Sequence, residues 1–268
     1  MKAAGMRKQR RATITYQAET APGIFDLRLY VPEMAAEAVP GQFADLYCAD
    51  ASRLLPRPIS LAGIDRERGE IRLVYRVSGA GTAEFSGYRA GDAVTVLGPL
   101  GNGFPLGETA DRPVLLVGGG MGIPPLLAAA RALREAQPDR PVTAVLGYAD
   151  GQTFLRDEFA GLCEVMTATE DGSIGVHGNV LDVLRGMTVP ADSCVFACGP
   201  APMLKALQAH TEERGLRCWL SLEERMACGV GACLACVCRT KETDEHSQVK
   251  NRRVCREGPV FRAEDVVF

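Results

Sequence analysis

Up to about Gly107 the chain alternates apolar and polar residues in short runs: ATITYQAET, FDLRLYVP, GQFADLYCA, RPISLAGI, EIRLVYRVS and DAVTVLGPLG. A period of two sets one side of each run against a core and the other in water, and Gly, Pro and Asp break the runs at short intervals. This pattern predicts a closed antiparallel β-barrel over residues 12–108. From Arg112 the texture changes to apolar runs alternating with helical periodicity. RPVLLVGGG, PVTAVLGYA, CEVMTAT and SCVFACG read as strands, and PPLLAAARALREAQ, NVLDVLRGM and PMLKALQAHTEERG as helices. Such alternation predicts βαβ units and a parallel sheet, an α/β domain over residues 109–220. Residues 221–268 show neither pattern. They are rich in Cys and Gly and too few to hold a core alone, which predicts a small module stapled by something such as a metal centre. The fold class is therefore multi-domain α+β.

Composition narrows what such a chain can do. A length of 268 residues fits two domains and a small module, and a net charge of -3 leaves no basic footprint for nucleic acid. No apolar run approaches the roughly 20 residues needed to cross a bilayer, so no membrane role is expected. The start, MKAAGMRKQRR, is basic but lacks an apolar h-region; it predicts a frayed tail and a cytoplasmic protein. Ten cysteines without an export signal point to metal or redox chemistry more than to disulfides. Cys48, Cys163, Cys194, Cys198 and Cys218 are scattered, whereas Cys228, Cys233, Cys236, Cys238 and Cys255 crowd the C-terminal module.

Four residues separate Cys228 from Cys233, two separate Cys233 from Cys236, and eighteen lie before Cys255. This is the plant-type spacing of a [2Fe–2S] cluster. The small residues of ACGVGACLAC let the loop wrap closely and aim N–H groups at the sulfurs. Structural zinc, the alternative, usually uses two separated CxxC-type pairs. Cys238 falls outside the spacing and is expected to pack as a non-ligand. Ser221-Leu-Glu-Glu224 fits a capping box and predicts a helix start, with a place for Glu223 beside a flavin as the other reading.

Arg57-Pro58-Ile59-Ser60 stands at the head of a strand, where a guanidinium could pair with a pyrophosphate and Pro plus a hydroxyl could shape the backbone under a ring. Val74-Tyr75-Arg76 adds an aromatic and a second cation, and the turn Gly79-Ala80-Gly81-Thr82 offers backbone N–H groups to a phosphate. Gly98–Gly103 reads as a structural turn. Gly118, Gly119, Gly120 and Gly122 end an apolar strand and open a helix, as a dinucleotide pyrophosphate site requires. Asp150, just past the next strand, could accept the ribose hydroxyls of NAD or merely cap a turn. Cys198-Gly199 ends a strand at the edge where such sheets bind ligands, and could face a nicotinamide or be a buried structural cysteine.

Together these segments resemble the ferredoxin–NADP reductase superfamily and, more narrowly, the electron-transfer subunits of type B dihydroorotate dehydrogenases. RPIS, GGGMGIPPL, CGPAPML, SLEERMACGVGACLACVC and VCREGPVF carry the resemblance along nearly the whole chain. The basic leader before Thr13 is not part of that pattern, and residues 241–250 look like an insertion. The resemblance implies FAD at Arg57, Pro58, Ile59, Ser60, Val74, Tyr75, Arg76, Gly81 and Thr82, and cluster ligation by Cys228, Cys233, Cys236 and Cys255. It also implies a partner subunit holding FMN that oxidises dihydroorotate, in a heterotetramer of two copies of each, within pyrimidine (UMP) biosynthesis. Electrons would cross the cluster to FAD and leave on NAD+. No residue need act as an acid, base or nucleophile, because the cofactors carry the chemistry. Val230 and Leu234 would be covered by the partner. Two rivals remain: a NAD(P)H-dependent reductase subunit of a hydrogenase or ferredoxin transhydrogenase complex, and a redox-sensing module with a labile cluster and no flavin.

Overall fold

The computed structural model describes residues 8–109, 111–244 and 248–268; the first seven residues of the basic leader, and His246 in the expected insertion, lie outside the described residues. Six strands close the barrel: β1 (Gln9–Ala21), β2 (Ile24–Tyr30), β3 (Phe43–Tyr47), β4 (Arg57–Asp65), β5 (Glu70–Arg76) and β6 (Ala93–Leu100). Their cyclic order is β1-β2-β5-β4-β3-β6, with antiparallel neighbours. The alternation read from sequence points Ile14, Leu27, Leu46, Leu61 and Leu73 inward, each fully buried. Two short helices, α1 (Pro32–Glu37) and α2 (Ala80–Ser86), fill the connections. The basic leader is not all tail. Gln9, Arg10 and Arg11 pair with Leu97, Val96 and Thr95 of β6, because a free ladder edge there accepts any residue that can extend.

Strands β7 (Val114–Gly119), β8 (Val142–Tyr148), β9 (Glu164–Thr169), β10 (Val176–His177), β11 (Cys194–Cys198) and β12 (Arg217–Ser221) build the second domain with helices α3 (Ile123–Ala136), α4 (Arg156–Ala160), α5 (Val180–Gly186) and α6 (Ala201–Glu213). The C-terminal region adds a hairpin, β13 (Val237–Arg239) with β14 (Asn251–Arg253), and then β15 (Val260–Arg262). The large sheet runs β10-β9-β8-β7-β11-β12-β15, parallel except for β15, which lies antiparallel to β12. Strand order reverses between β7 and β11, so the crevice that open α/β sheets use for ligands opens at their carboxyl ends. Among the described residues no helix is long and apolar enough to cross a membrane.

Neither β12 nor β15 is announced by local pattern, yet they join the cysteine region to the sheet. The third region does not need a core of its own. Its Cys236, Val254, Cys255 and Phe261 pack in one cluster with Phe43 and Leu100 of the barrel and Val195 and Leu220 of the sheet. Of the expected Gly98–Gly103 turn, Gly98, Pro99 and Leu100 instead complete β6, and residues 101–103 follow it as a structural connection. Asn102 donates its N–H to Gly258 O (2.7 Å) and its amide Nδ2 to Glu257 O (2.8 Å). Gly101, at φ +71°, approaches so near that a Cβ would lie 2.5 Å from Pro259 Cδ.

Candidate functional site

Because β4 and β5 are neighbours, the segments 57–60 and 74–76 lie side by side. Arg57, Pro58, Ile59, Ser60, Val74, Tyr75, Arg76 and Thr82 line one cleft of about 430 Å3. Gly81 serves it indirectly. A Cβ there would lie 2.6 Å from Arg57 Cζ, so the glycine lets the guanidinium rest on the first turn of α2. Thr82 Oγ1 accepts the N–H groups of Ser78 (2.9 Å) and Gly79 (3.2 Å), which shapes this turn. Tyr75 is a wall and not an open ring: it stacks on Phe25 at 5.7 Å and meets Phe85 edge-on at 6.4 Å. Burial pushes its phenol above the usual range.

In the sequence the opposite wall showed only as the alternative place for Glu223 beside a flavin. It comes from Met121, from Ser221, Leu222, Glu223, Glu224 and Met226, and from Pro259. The expected helix start at Ser221 does not form. Ser221 pairs with Val260, and Leu222 donates its N–H to Pro259 O (2.9 Å), so SLEE leaves β12 extended. Ladder partners from β15 win over a local cap. Glu223 thereby reaches the cleft, where desolvation raises its carboxyl.

Parallel register sets Gly118, Cys198 and Ser221 in a row across the carboxyl ends of β7, β11 and β12. Cys198 is buried; burial first, then the charge of Glu223, pushes its thiol up to about 12. The neighbouring glycines have separate jobs. A Cβ on Gly118 would press on Ile123 and Leu126 at 3.0 Å, and one on Gly119 would lie 2.6 Å from Met203 Sδ. Gly199 packs on the same Met203, and Gly122 sits against the Cys198 carbonyl. Only Gly120, at φ +52°, faces open space. Pro124 and Pro125 remove two donors from the first turn of α3, and Ile123 spends its N–H on Gly120 O. The helix end therefore offers its dipole more than its amides. Asp150 follows β8 and accepts the Gln152 N–H (2.9 Å), as a turn aspartate does.

The cysteine loop wraps through three left-handed residues, Gly229 (φ +64°), Gly231 (φ +82°) and Leu234 (φ +59°). Burial would raise the Cys228 thiol, but the N–H groups of Val230, Cys233 and Ala232 converge on it and hold it down at about 6. Cys255 is pushed up to about 12, first by burial and then by its bond to Cys236 and the charges of Cys236 and Cys228. Cys233 bonds to the Cys228 thiol and Cys236 to the Cys255 thiol, and the charge of Cys228 also reaches Cys255. Among the described residues no three His, Cys, Asp or Glu side chains are already gathered as a metal site. The donors on Cys228 nonetheless fit an anionic sulfur-bound centre. Cys238 is buried, its thiol raised to about 11 by burial. Val230 does not belong to an exposed patch; it packs against the core, while Leu234 stays 57% exposed.

Asp45 of β3 gave no signal in the sequence beyond a polar residue in a strand. It is fully buried, and neither carboxyl oxygen has a hydrogen-bond partner. Burial, then the charge of Cys228, pushes it up to about 7.

Residues 223–267 match the family described as the iron-sulfur cluster binding domain of dihydroorotate dehydrogenase B. The chain is 44% identical over 265 residues to the dihydroorotate dehydrogenase B (NAD(+)) electron transfer subunit of Shouchella clausii (strain KSM-K16), covering 98% of this chain and 99% of the relative. It is 43% identical over 261 residues to the subunit of that name in Geobacillus kaustophilus (strain HTA426), covering 96% and 98%. Among solved structures, that of an NADH-dependent reduced ferredoxin-NADP oxidoreductase superposes with a TM-score of 0.81 at 30% identity, over 100% of this chain and 91% of the other.

Proposed function

Since the chain belongs to the family of electron transfer subunits of NAD+-dependent dihydroorotate dehydrogenase B, we infer that it passes electrons from a catalytic subunit to NAD+, by way of a [2Fe–2S] cluster and FAD. The observation that carries this reading is a convergence. Ser221 and Pro259, at the end of the nucleotide sheet and the start of its cysteine-region strand, form one wall of the cleft whose other wall is Arg57–Ser60. Three parts of the chain meet at one place, as a relay demands. When bound, the cluster supplies single-electron transfer, and the flavin supplies both that and hydride exchange.

The residues have these roles. Arg57 would hold the flavin pyrophosphate over α2, with Gly81 making the room. Pro58, Ile59, Ser60, Val74, Tyr75 and Arg76 would form the bed of the ring system, and Thr82 the turn beneath it. Gly120 and the dipole of α3 would meet the NAD pyrophosphate, and Asp150 the ribose. Cys228, Cys233, Cys236 and Cys255 would ligate the cluster. The division into residues 12–108, 109–220 and 221–268 describes three functional parts that share a core. The partner is an FMN-containing catalytic subunit, two copies of each forming a heterotetramer in the cytoplasm, serving UMP synthesis. The 30% identical oxidoreductase favours a second reading, a reductase subunit of a ferredoxin transhydrogenase complex. A purified chain carrying flavin and iron, which reduces NAD+ with dihydroorotate only after the FMN subunit is added, establishes the first reading. Coupling to ferredoxin without that subunit establishes the second.

A further inference from the structure

An arginine ties the segment of Cys255 to the loop of the other three cysteines. Arg253, the last residue of β14, donates from Nη1 to Gly231 O at 3.0 Å. Its Nε donates to Glu257 Oε2 at 2.9 Å, and its Nη2 pairs with Oε1 of the same carboxylate. Glu257 Oε2 also accepts the Arg253 backbone N–H at 2.8 Å. Fork-on-fork pairing of this kind locks the guanidinium in orientation. Two backbone bonds complete the closure: Val254 N–H to Cys236 O at 2.8 Å and Cys255 N–H to Cys236 Sγ at 3.4 Å. The side chains of Arg253 and Glu257 are only 16% and 23% exposed, so water screens them weakly.

We propose that Arg253 is a positioning residue that holds the cysteine loop and raises the reduction potential of the cluster, while Glu257 opposes that rise. The proposal rests on the assignment of Cys228, Cys233, Cys236 and Cys255 as ligands. A cluster bound by four thiolates is anionic and gains one more negative charge on reduction. A cation fixed to the loop carbonyl stabilises the reduced form more than the oxidised one, and an anion beside it does the reverse. The pair is an oriented dipole with its positive end on the loop. Net charge, hydrogen bonds to the sulfurs and solvent exposure all set such potentials.

The test is a redox titration of the purified holo-subunit, followed by the electron paramagnetic resonance of the reduced cluster, with iron and flavin content measured on the same samples. Arg253→Gln should move the cluster–flavin electron distribution about tenfold toward the flavin, equal to about 59 mV for one electron. Glu257→Gln should move it the other way, and Arg253→Lys should stay near the parent. A merely structural clamp would give both neutral variants the same sign. Equal signs, or no shift at parental iron content, overturn the proposal. If Arg253→Gln fails to hold iron, Glu257→Gln still decides by its sign. A parent protein free of iron would defeat the ligand assignment instead, and the proposal with it.

Discussion

The carboxyl of Asp45 occupies the space where a side chain on Gly229 would sit. Asp45 pairs with Pro58 across the β3–β4 ladder, and Gly229 directly follows Cys228. One contact therefore joins the strand beside the Arg57–Ser60 cleft to the cysteine loop. Gly229 must be glycine twice over, for its φ of +64° and for this approach. A buried ionised carboxyl without donors costs several kcal/mol, so the group takes up a proton instead.

Stability should accordingly fall as pH rises past Asp45. Its folded pKa of about 7 stands above the ordinary 3.8, so the folded state binds the proton more tightly. Its contribution is greatest in acid, is lost as pH rises through about 7, and is level above that. Asp45→Asn should remove a loss of roughly 2–4 kcal/mol at pH 8 while changing little at pH 4. Thermal release of flavin and cluster, measured across this range in parent and variant, checks it. Parallel curves for the two proteins would refute it.

Replacing Cys228, Cys233, Cys236 or Cys255 by Ala should abolish the cluster spectrum and loosen the C-terminal region. Cys238→Ala should keep its iron. The Cys238 thiol is buried in the core, so its loss should cost about 1–2 kcal/mol of packing and no ligand. Iron analysis of the five variants separates the two kinds of cysteine. Loss of iron from Cys238→Ala with retention in Cys255→Ala would reverse the assignment.

NAD should be preferred to NADP. No Lys or Arg lies between Val142 and Gln152, and the nearby Arg156 is engaged with Thr167 and Asp157. A 2′-phosphate near Asp150 would meet an acidic group without a compensating cation. Asp150→Ala should narrow the gap in kcat/KM between the two dinucleotides, and equal kcat/KM values in the parent would remove the role given to Asp150.

Leu234 is 57% exposed on the cysteine loop, in a left-handed conformation that holds it outward. An apolar side chain so placed suits a covering partner. Leu234→Glu should lower dihydroorotate-dependent NAD+ reduction by the assembled complex by at least tenfold, the cost of about 1.4 kcal/mol of lost docking. NADH oxidation by dyes should stay unchanged. Undiminished coupling would move the interface elsewhere.

The strands of the barrel, the βαβ alternation and the cysteine spacing were readable in the sequence because each is set by residues close in the chain. Periodicity shows which face is buried, glycines show where turns fall, and three thiols within nine residues show a wrapped loop. The sequence also led to Arg57–Ser60 and Val74–Arg76, because barrel neighbours in register bring such segments together. Other features depended on partners far away in the chain. Ser221 looked like a helix cap until Val260 paired with it, and Glu223 reached the cleft only through that pairing. Asp45 became a buried acid when Gly229 closed over it, and Arg253 became a clamp when it met Gly231. Burial and charge environment are properties of what surrounds a residue, and only the folded chain supplies the surroundings.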